Sequence, residues 1–409
     1  MAKEGKSAIV PRLRFPEFQG ASEWVEAPLE DLIAAITPPA KLQTTSYLPS
    51  GTFPIIDQSQ QDICGWTNDT TAVVKEPLPL IVFGDHTCAL KLVQQPFAQG
   101  ADGIKILKAM AGVSTEYLFH SLSHRPLAME DYKRHFSMLK ERRVFYPDIE
   151  TGEQQKIADC LTSLDEVIAA QGRKVEALKT YKRGLMQQLF LREGETLPRL
   201  RFPEFRNAPV WANRVLGQMT SKVGSGITPL GGDKNYKAHG RPFVRSQNVG
   251  WGELLLNDVA YIDEETHRSF DSTEIQENDV LLNITGASIG RSAVADSRIV
   301  GGNVNQHVCI IRAKVDELNP VLLNQFLISE RGQKQIDGFQ AGGNRQGLNF
   351  AQIRSFEIPL APTEREQLRI ADCLSSLDAG VVAEIAKLET LKSHKKGLMQ
   401  QLFPSPEEA

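Results

Sequence analysis

The sequence predicts an α+β protein: two globular α/β domains separated by two long antiparallel coiled-coil helices, with an internal pseudo-twofold repeat. Three observations predict it. Glu153–Phe190 and Glu366–Phe403 each read as one long amphipathic helix, and they are near copies, sharing IADCL-x-SLD and K-x-GLMQQLF. The phrase PRLRFPEF occurs at Pro11–Phe18 and again at Pro198–Phe205, and Trp24 and Leu29 recur as Trp211 and Leu216. Between flank and helix lie two segments, residues 19–152 and 206–363, with short strand-like runs and many turns but no evident likeness to each other.

The helices come first in the argument. Positions spaced alternately four and three apart are Ile157, Leu161, Leu164, Ile168, Gln171, Val175 and Leu178 in one, and Ile370, Leu374, Leu377, Val381, Glu384, Leu388 and Leu391 in the other. The stripes continue through Lys182, Leu185 and Leu189, and through Lys395, Leu398 and Leu402. Such heptad stripes want a partner helix. The polar interruptions match, Gln171 with Glu384 and Lys182 with Lys395, which marks a duplication, so each helix is the natural partner of the other. At about 38 residues each is far longer than the usual helix of roughly 11–12 and would span ~57 Å at about 1.5 Å per residue. A helix that long works as a spacer. Gly184 and Gly397 inside the pattern suggest either a close approach of backbones or a kink.

The flanks repeat at an offset of 187 (Pro11 to Pro198) and the helices at 213 (Glu153 to Glu366), so the second insert is longer by 26 residues. The expected division is residues 1–152 as the first domain with its flank, 153–190 as the first helix, 191–365 as the second domain with its flank, 366–403 as the second helix and 404–409 as a tail. The first insert has strand-like runs at Phe53–Ile56 and Leu78–Gly84 and a helical stretch near Thr115–Ser123. The second has strands near Arg241–Arg245, Asp279–Ile284 and His307–Arg312 and a helix near Pro320–Gln335. A duplicated scaffold with divergent inserts does one job twice and a second job in two versions.

Composition sets bounds. With 409 residues and 41% hydrophobic content the chain supports two or three packed domains. Lys and Arg total 46 against 50 Asp and Glu, so any nucleic-acid binding must rest on local features. The cysteines Cys64, Cys88, Cys160, Cys309 and Cys373 form no C-x-x-C pair and read as free thiols of a reducing, cytoplasmic protein. No apolar run reaches ~18 residues, so no membrane span is expected.

Catalytic patterns fail on inspection. GSGITPLGG lacks the Lys-Ser/Thr of a phosphate-binding loop, and Gly286–Arg291 is too short for a dinucleotide fingerprint. No metal-ligand spacing of Cys or His appears. Asp85 and Lys91 suggest a nuclease centre only with a further acidic ligand that is not evident. Polar clusters suited to base edges are better represented, since Asn and Gln read adenine bidentately and Arg reads guanine. The first insert offers Gln58, Gln60, His86, Lys91, Lys133, Arg134 and His135. The second offers Thr228, Arg245, Gln247, Asn248, Ser288, Asn303, Asn305, Gln306, His307, Asn344, Arg345, Gln346 and Asn349. Asn, Gln and Gly also build turns and caps, and cluster by cluster that reading stays open. Two functions from other classes also remain open, a coiled-coil assembly scaffold that does not touch DNA and an enzyme with an unrecognised site.

The paired helices, the RLRFPEF flanks and the insert phrases SGITP (Ser225–Pro229), DVLLNITGASIG (Asp279–Gly290), GLNFAQI (Gly347–Ile353) and IPLAPTEREQ (Ile358–Gln367) resemble the specificity subunit of a type I restriction–modification system. FGDHT (Phe83–Thr87) with GADGIK (Gly100–Lys105) resembles another common insert type of that family. The first insert departs in entering its helix through FYPDIETGEQQ (Phe145–Gln155). The resemblance implies a non-catalytic chain in which each insert is a target-recognition domain reading one half of an asymmetric bipartite site in double-stranded DNA. It implies that the helices dock two modification (methyltransferase) subunits, joined by restriction/translocase subunits. It implies no cofactor in this chain: S-adenosylmethionine, ATP and Mg would belong to those partners.

Overall fold

In the computed structural model, residues 10–101, 103–130, 134–229, 231–340 and 347–404 are described. The fold is α+β and comprises two compact units, Met1–Gly172 with Ala386–Ala409, and Arg173–Ile385. The division cuts both long helices in the middle instead of setting them apart from the globules, unlike the linear order expected from the sequence.

The first unit contains strands β1 (Val25–Pro28), β2 (Ile33–Ile36), β3 (Phe53–Ile56), β4 (Gly65–Thr67), β5 (Leu80–Gly84), β6 (Leu90–Val93), β7 (Ala98–Gln99), β8 (Ile104–Ala109) and β9 (Arg143–Tyr146). Its helices are α1 (Thr115–His124), α2 (Phe136–Lys140) and the first half of α3 (Glu153–Leu189). Central β5, LIVFG, is apolar and buried along its whole length, as expected of a strand covered on both faces. The sheets run β2-β8-β5-β6, β4-β3-β7 and β1-β9, and every pairing is antiparallel except β3 with β7.

The second unit contains β10 (Ala212–Val215), β11 (Thr220–Ser225), β12 (Arg241–Val244), β13 (Ala260–Ile262), β14 (Val280–Asn283), β15 (Ser292–Val294), β16 (Asn303–Val304), β17 (Val308–Ala313) and β18 (Glu357–Leu360). Its helices are α4 (Glu264–Ser269), α5 (Pro320–Leu327), α6 (Glu330–Gln340), α7 (Phe350–Arg354), the second half of α3 and the first half of α8 (Glu364–Leu402), whose second half belongs to the first unit. The sheets run β11-β17-β14-β15, β13-β12-β16 and β10-β18, again antiparallel except β12 with β16. Strand for strand this is the order of the first unit. The two inserts, which look unalike as sequences, are one topology used twice. Helices α4 and α6 have no counterpart among the described residues of the first unit and take up much of the extra length of the second insert. The single helix expected near Pro320–Gln335 is broken at Ile328–Ser329 into α5 and α6.

The heptad stripes are covered unevenly. In the first unit Ile157 and Leu161 share a core with Trp24, Tyr117 and, from the end of α8, Met399, Leu402 and Phe403. In the second unit Ile370 and Leu374 share a core with Trp211, Phe326 and, from the end of α3, Met186, Leu189 and Phe190. Burying each such side chain contributes roughly 1.5–3 kcal/mol. Gln171 and Val175 are buried, but Leu164, Ile168, Leu178, Leu377, Val381, Glu384, Leu388 and Leu391 are only half-buried. Both stripe lysines have carboxylate partners. Lys395 Nζ lies 2.5 Å from Asp165 Oδ1 in the first unit, and Lys182 Nζ 2.5 Å from Asp378 Oδ1 in the second. These are the same contact under the 213-residue offset. Lys174 Nζ reaches Glu384 Oε1 at 2.5 Å, so in the second unit the numbers fall along α8 as they rise along α3, and the helices are antiparallel. A cation therefore meets Glu384, a polar exception in the stripe of α8. A Cβ built on Gly184 or Gly397 would meet nothing within 4 Å, so close backbone approach is not the reason for either glycine.

The RLRFPEF phrase has a defined task. Arg14 donates to Glu153, the first residue of α3, through Nε (2.7 Å) and Nη2 (2.6 Å), and to the carbonyls of Ala21 and Ser22. Arg201 repeats this with Glu366 at 2.6 and 2.7 Å and with the carbonyls of Ala208 and Pro209. Each flank is clasped to the start of a long helix. The Leu13 and Leu200 amides also donate to the carbonyls of Gln401 and Gln188, at the end of the other helix.

Candidate nucleic-acid interface

In each unit the strand order brings one set of loops together. In the second, the C-terminal ends of β11, β12, β14 and β16 and the N-terminal end of β17 share one edge. The Asn305 amide donates to Val244 O (3.0 Å), and Asn283 Nδ2 donates to Ser246 O (2.8 Å). Gly226 is obligatory there: its amide donates to Asn305 O, and an added Cβ would lie 1.6 Å from Val304 O. Thr228 Oγ1 donates to Gln306 Oε1, whose Nε2 lies 3.1 Å from His307 Nε2, and His307 Nδ1 lies 2.6 Å from Thr285 Oγ1. Thr285 bridges to Gly347, and half-buried Ser288 lies in the same loop as Thr285. Thus Thr228, Thr285, Ser288, Gln306 and His307 form one polar surface, with Gln306 exposed.

The turn after β12 adds to it. Arg245 Nη2 donates to Asp258 O (2.7 Å) and Asp258 Oδ2 (3.3 Å), and its guanidinium lies 5.4 Å from the Tyr236 ring centroid. Exposed Gln247 donates through Nε2 to Asp258 Oδ2 at 2.6 Å.

The first unit builds the corresponding edge from Asp57–Gln61, Gly84–Cys88 and the turn before β8. The Gly100 amide donates to Ile56 O (2.8 Å) and the Asp85 amide to Gly103 O (2.7 Å). Thr87 Oγ1 donates to Gln58 O at 2.5 Å, and a Cβ on Gly84 would sit 2.3 Å from that hydroxyl. Gln60 and His86 remain exposed on these loops, and exposed Arg134 precedes His135, whose amide donates to Asp85 O.

Several residues expected to read bases serve the fold instead. Lys91 is buried, donates through Nζ to Asp57 O (2.9 Å) and Gln61 O, and has its pKa lowered by that burial, so it ties the turn rather than meeting a phosphate. Buried His135 accepts at Nε2 from the Glu130 amide (3.0 Å), which leaves Nδ1–H to donate to Asp85 O (2.9 Å). The Asp85 carboxylate caps α2 through the Phe136 amide (2.8 Å), which accounts for it without a nuclease centre. Gln58 is wedged against Gly103, with Oε1 buried and unpartnered among the described residues. Asn248 donates to Leu255 O and Asp258 O and accepts from the Arg245 amide. Asn303 joins His267, Phe270 O and Thr273, and Asn305 accepts from the His307 amide. Asn349 and Gln352 cap α7 reciprocally at 2.9 Å. Lys133, Asn344, Arg345 and Gln346 lie outside the described residues. Thr285 and Asp258, absent from the sequence candidates, have partners too far along the chain for local pattern to expose them.

A cleft of about 1650 Å³ in the second unit runs between the halves of α3 and α8 and the globule, lined by Lys179, Arg183, Trp251, Ile328, Phe339 and Val382 among others. Among the described residues no three His, Cys, Asp or Glu side chains are grouped as metal ligands would be, and no helix is long and apolar enough to cross a membrane.

Residues 215–393 match the family model of the type I restriction modification DNA specificity domain. The putative type I restriction enzyme MjaX specificity subunit of Methanocaldococcus jannaschii is 23% identical over 269 residues, covering 65% of this chain and 60% of that one. By these matches the chain is similar to the type I restriction–modification specificity subunits. The MjaVIII specificity subunit of the same organism is 22% identical over 259 residues, 61% of this chain and 59% of that one. The match thus spans about 60% of the length of either relative. Among solved structures, the type I restriction–modification S subunit from M. genitalium superposes with a TM-score of 0.67 at 15% identity, over 97% of this chain and 100% of that one. A chain from a study of complex assembly and conformational transition of the type I R-M system gives 0.53 at 16% identity, over 93% and 98%. These two likenesses concern the fold alone.

Proposed function

We propose that this chain is a specificity subunit that recognises DNA for a type I restriction–modification complex, each unit reading one half of an asymmetric bipartite site. The observation that carries it is the repeated topology with unlike loops: two units gather the same strand ends at one edge and dress them with different polar side chains. A scaffold without DNA contact has no use for that difference. Phosphate contacts from exposed cations at these edges position the duplex, and amides supply sequence information.

The helices dock two modification subunits, which carry S-adenosylmethionine, and restriction/translocase subunits using ATP and Mg join them. The half-buried mid-stripe positions support this, as do the exposed apolar Val167, Tyr181, Val382 and Ile385 on the two helices. The chain itself is non-catalytic and cytoplasmic. Pure chain incubated with DNA, Mg, ATP and S-adenosylmethionine should neither methylate nor cleave, and turnover that co-purifies with it would refute this.

The decisive experiment is an exchange of residues 206–363 for another insert of the same class, read by the methylation pattern of the assembled complex. One half of the recognised sequence should change and the other remain. A change in both halves, or in neither, refutes independent reading.

A further inference from the structure

Most amides at the candidate interface spend their donors on the protein. Gln247 is different. It is exposed, and its single side-chain partner among the described residues is the Asp258 carboxylate, 2.6 Å from Nε2. A carboxylate only accepts, so the amide cannot be reversed: nitrogen must face Asp258. That leaves one Nε2 hydrogen and both Oε1 lone pairs free. A donor beside an acceptor on one planar group is the complement of adenine N7 and N6 in the major groove.

Asp258 is itself held. Its carbonyl accepts from Arg245 Nη2 (2.7 Å) and Asn248 Nδ2 (3.0 Å), and its carboxylate accepts a second, longer contact from the same Nη2 (3.3 Å). Arg245 is fixed in turn over the Tyr236 ring, and its side chain is only 19% exposed whereas that of Asp258 is 81% exposed. The chain of contacts runs from Tyr236 through Arg245 and Asp258 and ends on the exposed amide. The turn carrying Gln247 is pinned to the end of β14 by Asn283 Nδ2 on Ser246 O (2.8 Å), so the amide belongs to the loop edge described above.

We infer that Gln247 reads an adenine in the half-site recognised by the second unit, and that Asp258 and Arg245 are positioning residues fixing the orientation of its amide. This rests on the proposed function and deepens it by assigning one base type to one residue. Arg245, which its residue type suggests as a guanine reader, becomes the support of the reader.

The test uses the full chain assembled with its modification subunits. A preferred duplex is first selected from a randomised pool. Each adenine is then replaced singly by 7-deazaadenine, which lacks the N7 acceptor. With the wild-type chain one adenine of one half-site should lose about 5- to 150-fold in affinity, the range for a bidentate base contact. With Gln247→Ala that adenine should become insensitive to the replacement while the penalties at other positions persist. Asp258→Ala should abolish the penalty at the same adenine, with folding checked by an unchanged melting temperature, and Asp258→Glu should restore part of it, a rescue that a merely structural role would not produce at one base alone. A wild-type complex that selects no duplex overturns the reading on which the inference rests. A complex that selects a duplex but shows no adenine coupled to Gln247, or that keeps the full penalty in Asp258→Ala, overturns the inference alone.

Discussion

Replacing Arg201 by Met should destabilise the second unit more than any exposed substitution. Arg201 spans the flank and the first turn of α8 with two short bonds to Glu366, at 2.6 and 2.7 Å, and two to backbone carbonyls at 2.9 Å. The Arg201 side chain is 7% exposed and that of Glu366 is 1% exposed, so the pair is buried. Removing one partner of a buried pair leaves an uncompensated charge and costs about 3–5 kcal/mol. At roughly 2–4 °C per kcal/mol for a unit of this size, the melting temperature should fall by about 6–20 °C. The pH dependence separates lost charge from lost packing. In the variant the buried Glu366 carboxylate has lost its cation, and burial disfavours the charged form, so the variant's deficit is smallest at acid pH and grows as pH rises. Arg201→Met with Glu366→Gln should recover part of the loss. Denaturant unfolding of wild type, single and double variants from pH 4 to 8 is the assay. A deficit below ~1 kcal/mol, or one flat across that range, would refute the clasp. Arg14→Met tests the repeat: Trp211 Nε1 also donates to Glu366 (3.1 Å) whereas Trp24 Nε1 has no partner among the described residues, so the first unit should lose at least as much.

His120 is buried beside the Asp165–Lys395 pair, and burial first, then the charge of Lys395, lower its pKa to about 4. Because the unfolded chain binds that proton near pH 6.5, stability of the first unit should fall as pH drops from about 6.5 towards 4; His120→Gln, which copies the Gln325–Asp378 bond (2.7 Å) of the second unit, should flatten this dependence in an unfolding-versus-pH series. Residues 196–409 expressed alone should self-associate through α8: Lys387 takes the place of Lys174 by the 213-residue offset, so Glu384 meets a cation in each direction, and Glu384→Gln should weaken the dimer several-fold in sedimentation equilibrium, two part-exposed pairs contributing about 0.2–1 kcal/mol each. Burial raises the thiol pKa of Cys64 to about 11 and of Cys309 to about 12, so both should alkylate slowly with iodoacetamide at pH 8 in the folded chain and at the ordinary rate in denaturant.

The long helices were legible because their cause is local. Apolar residues at heptad spacing and matching polar exceptions lie within one stretch, and α3 and α8 begin and end within two residues of the expected bounds. The flanks were legible as a repeat but not as a clasp, since Glu153 lies 139 residues from Arg14. The shared topology of the inserts was hidden for a related reason. Their strands are only two to six residues long, and what makes β5 and β14 equivalent is which distant strands they pair with. FGDHT and NITGASIG leave corresponding strands in corresponding directions without sharing a pattern of side chains.

Residue type also failed to separate readers from scaffold, for a reason of hydrogen-bond accounting. Asn248 and Gln247 are adjacent amides that follow the same strand. Asn248 gives its two Nδ2 hydrogens to Leu255 O and Asp258 O, and its Oδ1 accepts from the Arg245 amide. It has little left for a base. Gln247 gives one hydrogen to Asp258 and keeps the rest. Asn303 and Asn349 fall on the side of Asn248, because buried or helix-capping backbone groups must be satisfied and short amides are the side chains that reach them. In the proposed reading, recognition falls to amides whose internal bonds fix an orientation without exhausting the donors, and for Gln247 that property depends on a carboxylate 11 residues away in the chain.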